Sequence, residues 1–86
     1  MPAQIDVYRK AGCQMCDDAA DLLADFRREW AFDVTEHNIQ ADAALFQKYR
    51  YRVPVVVIDG IERLELRFDQ RQLEAAFQAA RVPRRE

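Results

Sequence analysis

The 86-residue sequence lacks several features that mark particular protein classes. Its longest apolar run, residues 53–58, is far shorter than the ~20 residues of a transmembrane helix, and its N-terminus lacks the basic and apolar regions of a signal peptide. It has no second cysteine pair, no repeats and no low-complexity segment, and its formal net charge is only -2. We therefore expect one domain over residues 1–86, cytoplasmic and without a membrane or nucleic-acid partner.

Two cysteines are present, Cys13 and Cys16, separated by Gln14 and Met15. In a reducing compartment such a pair is more typical of redox chemistry or metal binding than of a structural disulfide. A zinc site needs further ligands, and we expect the single histidine, His37, to be solvated or hydrogen-bonded within the fold instead. The pattern favours a redox pair and leaves open a metal site or an inert buried pair.

Hydrophobic periodicity predicts alternating strands and helices. We predict strands at residues 5–9, 32–38, 53–58 and 61–67, helices at residues 16–30 and 41–51, and a last helix between an N-cap at Asp69 and Pro83. Asp59-Gly60 is a hairpin signal between the last two strands. This order predicts an α/β fold with a four-stranded mixed sheet, helices on both faces and parallel first strands. Cys13 then lies at the edge where ligands of α/β sheets usually bind.

We predict structural and not functional roles for the aromatic side chains and for the end of the chain. We expect the aromatic residues on the apolar faces to pack in the core: Tyr8, Phe26, Trp30 and Phe77. Residues 81–86 are predicted to form a short, solvated basic tail.

The position of Cys13 before a helix predicts an activated sulfur. Free N–H groups at the start of a helix favour a thiolate over a thiol. Cys16 follows about one turn later, at a Cα separation of roughly 5 Å that permits a disulfide. We predict that Cys13 attacks a target disulfide and that Cys16, deeper and less ionised, resolves the mixed disulfide. Arg9, Arg50 and Arg52 are predicted to add a positive field at this edge.

Over residues 5–80 the chain resembles the glutaredoxins of the thioredoxin superfamily. Residues 10–16, Lys-Ala-Gly-Cys-Gln-Met-Cys, are similar to the family's lysine, spacers and dithiol, and residues 52–55, Arg-Val-Pro-Val, to its cis-proline segment. The resemblance implies a three-layer thioredoxin-like α/β/α fold. It also implies a thiol-disulfide oxidoreductase in cell redox homeostasis, with Cys13 as nucleophile and Cys16 as resolving thiol.

The same resemblance implies four substrate-binding residues. Lys10 would support the thiolate and meet a glutathione carboxylate, and Val53 would offer backbone hydrogen bonds beside a cis Pro54. Asp69 would match an acidic contact to glutathione or be a plain helix cap. The implied partners are a disulfide-containing protein or a small thiol, with glutathione as co-substrate, no bound cofactor, and a monomeric protein.

Two departures from the family pattern motivate alternatives. Gln14-Met15 stands where typical glutaredoxins carry proline and tyrosine. Leu66-Arg67 stands where the family usually has the Gly-Gly that admits the γ-glutamyl group of glutathione. A second hypothesis is therefore a non-enzymatic binding module that uses the same edge. A third is a metal or iron-sulfur carrier, with one pair of thiolates from each subunit of a dimer.

Overall fold

The computed structural model covers residues Met1–Glu86. The chain forms, in order, β1 (Ala3–Arg9), α1 (Gln14–Phe26), β2 (Phe32–Asn38), a 3₁₀ turn (Ile39–Ala41), α2 (Ala43–Tyr49), β3 (Val55–Ile58), β4 (Ile61–Glu65) and α3 (Gln70–Ala79). The predicted order of strands and helices is confirmed. None of the helices is long and apolar enough to cross a membrane.

The four strands form one mixed sheet in the order β2-β1-β3-β4. β1 and β2 are parallel, whereas β3 pairs antiparallel with both of its neighbours. Side chains alternate between the two faces of a strand. Val56 and Ile58 therefore pack with α1 and α3, and Val55 and Val57 pack on the α2 side. The three-layer thioredoxin-like α/β/α fold is confirmed, and burial on both faces explains the continuous apolar run of β3.

The larger core, between the sheet and the α1/α3 layer, is organised around Phe77. The rings of Phe26, Trp30 and Phe32 meet the Phe77 ring edge to face at centroid distances of 5.2, 5.3 and 5.1 Å. Such pairs add stability beyond their buried area. The predicted core role of the α1 and α3 aromatic residues is thus confirmed, while Tyr8 lies half-buried on the opposite face.

The turn between β3 and β4 has the predicted hairpin geometry. Asp59 and Gly60 have φ values of 49° and 86°, both in the left-handed region that a type I′ turn requires. The Asp59 carboxylate accepts a hydrogen bond from the Gln4 N–H at 2.9 Å, and the Asp59 N–H donates to the Gln4 carbonyl at 2.8 Å. These bonds fix the turn against the start of β1.

Several predicted boundaries were wrong by two to four residues. α2 begins at Ala43 and not at residue 41, because the Asp42 carboxylate accepts the N–H groups of Ala44 and Leu45 and caps the helix there. β4 ends at Glu65 and not at residue 67, because Leu66 turns into the left-handed region with φ 63°. β3 likewise begins after the proline, at Val55.

Most of residues 81–86 are exposed, as expected of a solvated basic tail, but the segment is held by contacts with the chain after α1. The predicted end of α1 at Trp30 was wrong. α1 ends at Phe26, and Trp30 forms a β-bridge with Arg84, whose guanidinium lies 3.9 Å from the Trp30 ring centroid. The Arg85 Nε donates to the Arg27 carbonyl at 2.8 Å, which satisfies a group left unpaired at the helix end. With Val82 buried, residues 81–86 are held against residues 27–31, the segment that follows α1.

Candidate dithiol site

Cys13 is the N-cap residue of α1. Gly12, with φ +71°, turns the chain from β1 toward the helix. The Cys13 backbone is extended, and its Sγ accepts a hydrogen bond from the Cys16 N–H at 3.2 Å. The first N–H groups of a helix have no partner within it, so this sulfur lies where negative charge is stabilised. The predicted placement of Cys13 at the helix start is confirmed.

Cys16 lies behind Cys13 and is completely buried, whereas Cys13 retains 8% of its surface. Burial raises the pKa of the Cys16 thiol to about 11, and its hydrogen bond to Cys13 acts in the same direction. The backbone of Lys10 and the charge of Arg9 oppose this rise. Cys16 therefore keeps its proton at neutral pH, as the predicted order of ionisation requires.

The Val53-Pro54 peptide bond is cis, as predicted. The carbonyl oxygens of Arg52 and Pro54 both accept the Leu66 N–H, at 3.2 and 2.9 Å. Between them, the N–H and C=O of Val53 make no hydrogen bond within the protein. The Val53 side chain packs in the same cluster as the two cysteines. An extended chain lying beside Cys13 would find these two backbone groups unpaired.

The predicted positive field at this edge is largely offset. Arg9 contacts the carboxylates of Asp17 at 2.6 Å and Glu36 at 3.8 Å. Arg52 contacts two glutamates of β4. Arg50 lies over the Tyr51 ring, 4.6 Å from its centroid. Two of the three arginines are therefore held in ion pairs, and the expected attraction for anionic thiols is weaker than the sequence indicated.

Asp69 caps α3 in a reciprocal arrangement with Gln72. Its carboxylate accepts the Gln72 N–H at 2.8 Å, and its own N–H donates to the Gln72 side chain at 2.9 Å. The predicted N-cap at Asp69 is confirmed, and together with Gln72 it forms a capping box. The contact of Asp69 with glutathione stays a prediction, as does the role of the Lys10 side chain, which lines an open hollow of about 310 Å³ between the ends of β1 and β2.

Sequence reasoning missed a row of stacked rings beside the site. The Tyr8 ring stacks on His37 and on Tyr49, with centroid distances of 4.7 and 4.5 Å. His37 is hydrogen-bonded to Asp6 at 2.9 Å, which confirms the prediction that it is satisfied within the fold. Tyr49 donates to Glu62 at 3.1 Å, and burial raises the pKa of Tyr8. The one available signal was the parallel register, which places Tyr8 opposite His37.

No three side chains of the His, Cys, Asp and Glu types converge as a metal site would require. A metal or cluster carrier would therefore need ligands from a second molecule in addition to the thiolates of Cys13 and Cys16. The carrier hypothesis stays a prediction.

A family profile described as "Glutaredoxin-like domain (DUF836)" matches residues 4–78. The chain belongs to this glutaredoxin-like family. The match includes the dithiol, the cis-proline segment and the cap of α3, and it covers the sheet and all three helices except for Ala3 and Ala79 at the two ends.

Relatives of this glutaredoxin-like protein occur in bacteria. It is 30% identical over 77 residues to uncharacterised proteins of Mycobacterium tuberculosis and Mycobacterium bovis, covering 84% of this chain and 79% of theirs. An X-ray structure from X. campestris is 36% identical with a TM-score of 0.74, covering 87% of this chain and 96% of that one. A solution NMR structure from Nitrosomonas europaea is 27% identical with a TM-score of 0.68, covering 87% and 91%.

Proposed function

We propose that this protein is a thiol-disulfide oxidoreductase that works through the Cys13-Cys16 couple. The observation that carries the proposal is that the two neighbouring sulfurs lie in different environments. Cys13 lies at the N-cap of α1, where charge is stabilised, and Cys16 is buried behind it with its proton retained. This difference gives one sulfur the first attack and the other the second.

In the first step the Cys13 thiolate attacks one sulfur of a substrate disulfide. The substrate S–S bond breaks, a bond forms between Cys13 and the substrate, and the first substrate thiolate leaves and takes up a proton. In the second step Cys16 loses its proton and attacks the Cys13 sulfur. The Cys13-Cys16 bond forms, and the second substrate thiol is released and protonated. The substrate gains two electrons and the protein loses two.

The surroundings of Cys13 support this sequence of steps. The unpaired N–H and C=O of Val53 would hold an extended substrate beside the sulfur, and Pro54 sets the direction of that segment. Lys10 would interact with a carboxylate of the substrate, as the resemblance implies. We propose that the protein works as a monomer in the cytoplasm, and that glutathione or a dithiol donor protein returns the couple to its reduced form.

The proposal is tested with pre-reduced protein and a short peptide that contains one intrachain disulfide. We expect the wild-type protein to reduce one equivalent of peptide and to acquire the Cys13-Cys16 disulfide, which mass spectrometry detects. Cys16→Ser should stop at a covalent adduct with the peptide, because the resolving thiol is absent. Cys13→Ser should give neither product.

The control is the double variant with serine at both positions, which fixes the background of the assay. A wild-type protein that stays reduced in excess disulfide would overturn the proposal. So would a Cys13→Ser variant that reduces the peptide as fast as the wild type. Retention of a protein partner by the double variant would then favour the binding-module hypothesis.

A further inference from the structure

Leu66 has an unusual conformation at the rim of the dithiol site. Its φ of 63° lies in the left-handed region, which leucine rarely adopts. Its N–H is shared between the carbonyl oxygens of Arg52 and Pro54, so that the loop after β4 is tied to the cis-proline segment. Its side chain is 40% exposed. Backbone strain of this kind is found most often at functional sites.

Leu66 and Met15 line a small hollow beside the dithiol site. The hollow has a volume of about 60 Å³. The walls also carry Asp18 and Arg67, which bring one charge of each sign. Asp18 already accepts a hydrogen bond from the Gln14 amide at 2.9 Å.

Several polar groups near this rim are already engaged, whereas Lys10 lines a separate hollow between the ends of β1 and β2. The N–H and carboxylate of Asp69 are paired with Gln72 in the capping box. Arg9 and Arg52 each contact two carboxylates. Glutathione presents two carboxylates and one ammonium group, and its binding requires partners that replace water around each charge. Among the groups that line the hollow at Leu66, Arg67 is the only cation that remains to serve a carboxylate.

An extended apolar peptide fits the same rim. The N–H and C=O of Val53 are free for strand-like pairing with a substrate backbone. A side chain next to the substrate cysteine would meet the exposed parts of Met15 and Leu66. We propose that the substrates are disulfides in extended, apolar stretches of protein, in preference to glutathione mixed disulfides, and that Leu66 determines this specificity. The inference rests on the proposed function, since Cys13 must be the attacking sulfur.

The test measures thiol-disulfide exchange equilibria of Cys13 in the Cys16→Ser background. The probes are glutathione and two blocked, uncharged pentapeptides whose single cysteine is flanked by leucines or by serines. We expect the leucine peptide to form the mixed disulfide at least tenfold more favourably than glutathione. Leu66→Asn should reduce the preference for the leucine peptide over glutathione about three- to tenfold. Asparagine tolerates the left-handed conformation but removes the apolar contact.

Ile61→Asn is the matched control, because Ile61 is also an exposed apolar residue of the hairpin but lies at its opposite end. In Ile61→Asn, the preference for the leucine peptide over glutathione should equal that of the Cys16→Ser protein. Leu66→Gly provides a second variant that relieves the strain and opens the hollow, and it should raise exchange with glutathione.

Exchange with glutathione equal to or stronger than with the leucine peptide would overturn the inference, as would a Leu66→Asn ratio that matches the parent. These outcomes leave the proposed function untouched, because that function is decided by reduction of the intrachain disulfide by the wild-type pair.

Discussion

On the α1/α3 face of the sheet, thirteen apolar side chains are buried, with Phe77 among them, whereas the α2 face buries seven, with Cys13 and Cys16 among them. The larger cluster consists of apolar packing, and its rings interlock edge to face. The smaller cluster borders ion pairs, stacked tyrosines and the unpaired backbone of Val53. Most of the hydrophobic stabilisation therefore lies away from the sulfurs.

This division explains how the site keeps features that cost stability. A left-handed Leu66 disfavours the folded state by about 1–3 kcal/mol, and the unpaired Val53 backbone contributes no hydrogen bond to the fold. Such costs persist only where the surrounding structure compensates for them. The α1/α3 core supplies that compensation, so packing and reactivity should respond separately to mutation.

The largest expected effect is a loss of stability caused by a packing defect in the larger core. Phe77→Ala should lower the free energy of unfolding by about 3–5 kcal/mol, because it removes the central ring of the larger core and leaves a cavity. Urea unfolding measures this loss. The rate at which Cys13 reacts with an alkylating reagent, measured without urea on the folded fraction, should stay within twofold of the wild type.

Leu45→Ala serves as the matched control on the α2 face, where Leu45 is only half-buried. Its loss of stability should be clearly smaller. If Phe77→Ala changed the reactivity of Cys13 as much as it changed stability, the two faces would be coupled and the comparison above would fail.

A smaller effect on stability is expected at Asp69. The resemblance implies that this residue contacts glutathione, whereas the structure shows that it caps α3. Asp69→Ala should cost about 1 kcal/mol in urea unfolding, because the Gln72 N–H loses its acceptor. Asp69→Asn should recover most of that stability, since asparagine also caps helices. Exchange of Cys13 with glutathione should be the same in the asparagine variant as in the wild type. A stable asparagine variant that loses this exchange would instead establish the acidic contact.

The parts of this structure that were predicted from the sequence depend on local signals. Asp59-Gly60 determines its own turn, Asp69 and Gln72 cap a helix within four residues, and Cys13 follows a glycine at a strand end. The cis state of Pro54 came from the resemblance, because an X-Pro pair alone carries a cis probability of only about 5–6%.

The parts that were missed depend on residues distant in sequence. Trp30 continues the helical spacing of α1, but it pairs with Arg84, so the spacing alone predicted four residues too many. The arginines were expected to act as free charges because their acidic partners lie on other elements. Nothing in a leucine indicates a positive φ, so the conformation of Leu66 could not be predicted.

The smallest expected effect concerns the proton of Cys16. Arg9 is the one charged side chain among the groups that lower the pKa of Cys16, and it is held in place by Asp17 and Glu36. Burial is the largest cause of the raised pKa and persists after Cys13 has formed the mixed disulfide, so the thiolate fraction of Cys16 rises about tenfold per pH unit from pH 7 upward until its pKa is approached. The second step of the proposed reaction should therefore accelerate with pH over this range.

Arg9→Gln removes the positive charge, so it should raise the pKa of Cys16 further and displace the rate profile toward higher pH. We expect release of the second substrate thiol to slow about two- to fivefold at pH 8, because Asp17 and Glu36 already offset part of the arginine charge. Stopped-flow detection of that thiol measures the step, and Arg28→Gln, an exposed arginine beyond the far end of α1, is the control. An unchanged profile would mean that the Cys16 proton leaves without help from Arg9, and a faster second step would reverse the sign of the electrostatic argument.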